Sequence, residues 1–151
     1  MISITEGPID VFKVWMEVQD RSAGATTVFT GSIRDHNDKG RVSEIYYEAY
    51  KQMAEEILLE IESEVSKRWH VKKFMAIHRT GNLNVSDISV AVAVSSEHRK
   101  EAFEACRYGI ESIKSRVPIW KKEVSELGGA LWTDGVLIKR DSEESERTRH
   151  V

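Results

Sequence analysis

"ISVAVAVSSEHRKEAFEACRYGIESIKSRVPIWKKE" occupies residues 88–123, and the order of patterns inside it decides the fold. Its first nine residues, "ISVAVAVSS" (88–96), form the most apolar strand-like run of the chain, so the spacing predicts a central strand. A helix follows, from about 97 to 115. At 100° per residue, Ala102, Phe103, Ala105, Cys106, Gly109, Ile110 and Ile113 share one face of it. Ser96 stands where a helix cap is expected. Pro118 then ends the helix and pushes Val117 toward extended backbone, which predicts a short extended piece at 117–124.

Working outward, the upstream chain alternates between strand and helix signals without a regular βαβ rhythm. Pro8 fits the first turn of a short helix, with Ile9, Phe12, Trp15 and Met16 as its apolar stripe to about Val18. "AGATTVFTGSI" (23–33) and "VSEIYYEAY" (42–50) read as strands around a polar loop at 34–41. Met53, Ala54, Ile57, Leu58, Ile61 and Val65 repeat at three and four, marking a helix to about Arg68. "VKKFMAIHRTG" (71–81) is a strand, and 82–87 a turn region. Downstream, a glycine turn at 128–129 precedes "ALWTDGVLI" as β-structure. The pattern predicts an α+β domain over 1–138 with a largely antiparallel sheet. The charged tail 139–151 is expected to be disordered without a partner.

The chain has 151 residues and a formal net charge of −3, from 22 Lys+Arg against 25 Asp+Glu. That argues against a general polyanion binder such as a nucleic-acid-coating protein. No apolar run is long enough to span a membrane and no leader pattern opens the chain, so a cytoplasmic location is expected. Cys106 is the single cysteine, which excludes an intrachain disulfide and a cysteine-built zinc site. Its place on the apolar helix face marks it as core. His36 and His78 have no companions at a metal-ligand spacing, so no metal is expected.

The segment 112–123 crowds Lys114, Arg116, Lys121 and Lys122 around Pro118 and Trp120. One reading is a basic helix end favoured by the macrodipole. The other is a pocket: if the chain folds back at Pro118, Lys121 approaches Lys114. Apolar neighbours and a second ammonium both lower a lysine pKa from about 10.4, which suits acid–base or nucleophilic work. Arg34, at a strand end beside Gly31, suits phosphate or carboxylate. Arg99 and Lys114 lie about 22 Å apart along one helix, so either one of them is structural or two copies of the chain share a site.

"VFTGSIRDHNDKGRVSEIYYEAYKQMAEEIL", "IHRTGNL", "AVSSEHRKEAFEACRYGIESIKSRVPIWKKE" and Trp132 occur in this order. Together they resemble the large, catalytic subunit family of molybdopterin synthase, over roughly residues 9–135. The resemblance implies an α/β-hammerhead fold with an added small antiparallel subdomain. It implies a homodimer that binds two small ubiquitin-like subunits, giving a heterotetramer. It further implies transfer of two sulfurs from the Gly-Gly thiocarboxylate of the small subunit to cyclic pyranopterin monophosphate, forming the dithiolene of molybdopterin, without a cofactor. By the family's motifs, Lys114 and Lys121 are the expected catalytic residues. Ser32, Ile33, Arg34, His98, Arg99, Lys122 and Glu123 join them at the substrate. The competing reading is a non-catalytic module that captures the carboxylate tail of a ubiquitin-like partner.

Overall fold

A computed structural model describes residues 1–126 and 129–133. The described residues form two sheets and three helices: β1 (Ile2–Thr5), α1 (Val11–Glu17), β2 (Ala25–Ser32), β3 (His36–Asn37), β4 (Gly40–Ala49), α2 (Lys51–Arg68), β5 (Val71–Arg79), β6 (Gly81–Asn84), β7 (Ile88–Ser96), α3 (Arg99–Arg116), β8 (Ile119–Ser125) and β9 (Ala130–Thr133). The first sheet runs β1-β5-β7-β2. The second runs β3-β4-β8-β9, with β6 also paired to β4. Only β1–β5 is parallel among the pairings of the described residues. This is the expected α+β architecture with mostly antiparallel pairing.

The 88–96 run is interior as its composition predicts. β7 pairs with β2 on one side and β5 on the other, and from Ser89 to Ser96 it is buried throughout. Its two faces divide the core. Val90, Val92 and Val94 meet Leu58, Ile61 and Val65 of α2 and Ala105, Cys106, Ile110 and Ile113 of α3. Ala91 and Ala93 meet Ile9, Val14 and Val18 on the α1 side. Burying each large aliphatic side chain of this kind contributes about 1.5–3 kcal/mol. Gly109 lets α3 lie flat on the sheet: a Cβ there would sit 3.0 Å from the Phe74 ring and 3.1 Å from Val92. The close approach offsets the ~1 kcal/mol helix cost of glycine.

Four expectations are corrected. Residues 2–5 form β1, a strand that sequence reading passed over. Gly81–Asn84 is strand β6 rather than turn, since it pairs with Tyr47–Glu44 of β4. On α1, Val14 is buried with flanking Ile9 and Val18, whereas Phe12, Trp15 and Met16 are exposed. The short helix seats its branched side chains on the sheet, and Phe12 stacks on Trp15 outside, 5.8 Å between centroids. Finally, Ser96 is still in the β7 ladder and its hydroxyl donates to the His98 carbonyl at 2.5 Å. His98 is therefore the N-cap, with no side-chain capping bond. No helix of the described residues is long and apolar enough to cross a membrane. Residues 127–128, part of the expected glycine turn, and 134–151, including the charged tail, lie outside the described residues.

Candidate functional site

α3 ends at Arg116, and the turn that follows is buried. Val117 is 3% exposed, Pro118 is fully buried, and the Ile119 amide donates to the Val117 carbonyl at 2.8 Å. β8 then runs back against β4, from Ile119 opposite Ala49 to Lys121 opposite Tyr47. Trp120 anchors this return by packing edge-on against Tyr50, 4.9 Å between ring centroids. The result is a cleft of about 180 Å³. Lys114 and Lys121 stand on its wall, Val90, Ile110, Ile113, Val117 and Ile119 supply apolar surface, and Tyr47, His78 and Ser89, whose hydroxyl donates to the Gly31 carbonyl at 3.2 Å, complete it. Of the two readings of the cation cluster, the pocket is the one this geometry matches for Lys114 and Lys121.

The electrostatics follow from that placement. Partial burial, and then the neighbouring Lys121 ammonium, push the Lys114 pKa below the usual lysine value. Lys121 Nζ lies 3.1 Å from Glu123 Oε1. Burial alone would raise the Glu123 carboxyl. The Asn37 amide donating at 2.5 Å, the Lys121 contact and the Arg34 charge outweigh it and keep Glu123 low. Arg34, exposed just after β2, adds to the positive field at Glu123.

Other expected site residues go elsewhere. Ser32 is exposed where the β2–β7 register shifts, but Ile33 is 4% exposed and packs with Val42, Ile45 and Leu83. Its amide and carbonyl bond to Asp87 and Ser86, so Ile33 fixes the strand end that presents Arg34. A Cβ at Gly31 would lie 2.8 Å from the Val90 side chain. Lys122 falls on the opposite face of β8 from Lys121, by strand alternation. His98 and Arg99 stand at the other end of α3, about 22 Å from Lys114 along the axis. The His98 side chain is 77% exposed, 3.8 Å from Glu97.

Arg116 has a structural task. It clamps Glu64 of α2 through two bonds of 2.6 and 2.9 Å, while Tyr108 donates to the same carboxylate at 2.5 Å. The Arg116 and Tyr108 hydrogen bonds hold Glu64 down to about 2. Cys106 is 3% exposed, its thiol donates to the Val92 carbonyl at 3.5 Å, and burial pushes its pKa up to about 11.

Sequence reading missed Tyr47 and weighed His78 only as a metal ligand, not as a cleft residue. The signal was available for His78. In "FMAIHR" the buried residues Phe74, Ala76 and His78 alternate, which puts an imidazole on the inward face of a strand.

Residues 4–116 match the family model described as MoaE protein. The molybdopterin synthase catalytic subunit of Thermoplasma volcanium is 41% identical over 131 residues, covering 87% of this chain and 96% of that one. The Bacillus subtilis molybdopterin synthase catalytic subunit is 42% identical over 125 residues, covering 83% and 80%. Among solved structures, molybdopterin synthase from Staphylococcus aureus superposes with a TM-score of 0.83 at 40% identity, covering 87% of this chain and 95% of that one.

Proposed function

This chain belongs to the MoaE protein family, and we propose on that premise that it is the catalytic subunit of a molybdopterin synthase, a sulfurtransferase. The substrate is cyclic pyranopterin monophosphate. The sulfur donor is the C-terminal thiocarboxylate of a small ubiquitin-like subunit. The observation that carries this reading is the meeting of Lys114 and Lys121 across one cleft, with Lys114 depressed by burial and by its neighbour. A lysine with a lowered pKa releases and regains its proton more readily near neutrality, as sulfur addition and opening of a cyclic phosphate require. Lys121 offers a cation to the incoming thiocarboxylate, with Glu123 beside it.

The phosphate of the substrate calls for further hydrogen-bond donors. Arg34 is on the near side, where its charge is felt at Glu123. His98 and Arg99 come from a second copy of the chain. The surface beside them supports such pairing: β2 is an edge strand with Phe29 37% exposed, and Phe103, one turn into α3, is 63% exposed. The assembly is then a homodimer carrying two small subunits.

The test is turnover. Purified chain is incubated with thiocarboxylated small subunit and cyclic pyranopterin monophosphate, and the dithiolene product is assayed. Dithiolene formation is expected. A stable complex with the small subunit that never consumes its thiocarboxylate would instead mark a non-catalytic capture module.

A further inference from the structure

His78 is the one buried imidazole among the described residues, and neither lysine chemistry nor packing accounts for it. It is 8% exposed, on the inward face of β5, and it lines the same cleft as Lys114. Its Nδ1 lies 2.8 Å from the Arg79 carbonyl. A carbonyl only accepts, so Nδ1 carries the proton and Nε2 keeps its lone pair. Desolvation first, and then the Lys114 charge, drop the imidazole pKa to about 4 against the raising effect of the Arg79 bond, so the ring is neutral at pH 7.

The ring is also held in place. Tyr47 meets it edge-on, 5.2 Å between centroids and 70° between planes. The Arg79 backbone that accepts its bond is locked in the β1–β5 ladder opposite Thr5. The Arg79 guanidinium reaches the Glu6 carbonyl at 3.1 Å. A fixed tautomer in a fixed orientation leaves Nε2 as the one polar atom of the ring available to a ligand.

The cleft around it is rich in donors. Lys114 and Lys121 donate and cannot accept when charged. An anion satisfies them, but the edge of a neutral heterocycle that carries N–H groups needs an acceptor. We propose that His78 is a substrate-positioning residue, whose Nε2 accepts a hydrogen bond from a ring or amino N–H of the pterin and so orients it beside Lys114. This assignment rests on the function proposed above and adds the recognition element that the cations cannot supply.

Two substitutions separate this role from a structural one. His78→Asn keeps a donor near the Nδ1 position for the Arg79 carbonyl and removes the acceptor at Nε2. His78→Gln places an amide oxygen near the Nε2 position. For the assembled enzyme with thiocarboxylated small subunit, His78→Asn is expected to raise both KM and the directly titrated Kd for cyclic pyranopterin monophosphate roughly tenfold, the loss of one good hydrogen bond. kcat should stay within about twofold, because the reacting groups are untouched. His78→Gln should regain most of the affinity. In the wild type, the ¹⁵N resonance of His78 Nε2 should move toward the hydrogen-bonded range when the pterin is added. An unmoved resonance, unchanged Kd in His78→Asn, or equal losses in both variants would overturn the assignment. A wild type that turns over normally while His78 proves insensitive removes only this inference. A wild type that makes no dithiolene removes the function itself, and the inference with it.

Discussion

Cys106 and Lys114 ride the same helix about two turns apart, and burial drives them in opposite chemical directions. For the thiol, burial raises the pKa to about 11 and keeps it inert. For the ammonium, the same desolvation lowers the pKa and makes proton release easier. Sulfur therefore has no reason to pass through Cys106. Cys106→Ser should retain turnover and lose about 1–3 kcal/mol of stability from placing a hydroxyl in the core. Thermal melting and the dithiolene assay check this together, and a well-folded but inactive variant would refute it. Both residues were legible in the sequence, because helical spacing fixes which face each occupies. His78 was harder. Its alternation with Phe74 and Ala76 shows an inward position, but what makes it a site residue is the return of β8 and the Tyr47 ring from β4. These are contacts across long stretches of chain.

At the scale of elements, β8 carries the site by alternation. Ile119, Lys121 and Glu123 are on one face, Trp120 and Lys122 on the other. The sequence resemblance groups Lys121, Lys122 and Glu123 together, whereas the strand separates the middle one. Lys121→Ala should cost turnover on the order of a hundredfold or more, as loss of a positioned charge or proton-transfer group does. Lys122→Ala should stay within roughly fivefold, in line with a residue outside the cleft. Equal losses would place both lysines at the reacting groups and contradict the register of β8. The elements most readable in sequence, β7 and α3, declare themselves by their own composition and period. β1 and β6 do not: each is four residues long and is a strand only through distant partners, Ala76–Arg79 for β1 and Glu44–Tyr47 for β6. The face of α1 was misjudged for a related reason. Phe12, Trp15 and Met16 are more apolar in bulk, but Val14 is the residue that fits against the small Ala91 and Ala93 of β7.

At the scale of the whole molecule, the two ends of α3 pose the central problem. Lys114 lines a cleft at one end, and His98 and Arg99, which we propose meet the substrate phosphate, stand about 22 Å away at the other. We propose that a two-fold pair of chains resolves this, with Arg99 of one copy meeting Lys114 of the next. Mixing Arg99→Ala with Lys114→Ala chains, with subunit exchange confirmed by native mass spectrometry, should restore activity. Random exchange makes half the dimers mixed, each with one intact site of two, so about a quarter of wild-type turnover is expected. A silent mixture would mean that each site is built within one chain. The most direct test of the central claim, that the chemistry sits at Lys114, is single-turnover sulfur transfer by Lys114→Ala beside wild type and Arg116→Ala. Melting temperature and binding of the small subunit should be preserved in Lys114→Ala, while dithiolene formation falls by on the order of 10²–10⁴-fold. Arg116→Ala loses its clamp on Glu64 and should melt earlier, yet turn over nearly normally while folded. Near-wild-type turnover by Lys114→Ala would contradict the account.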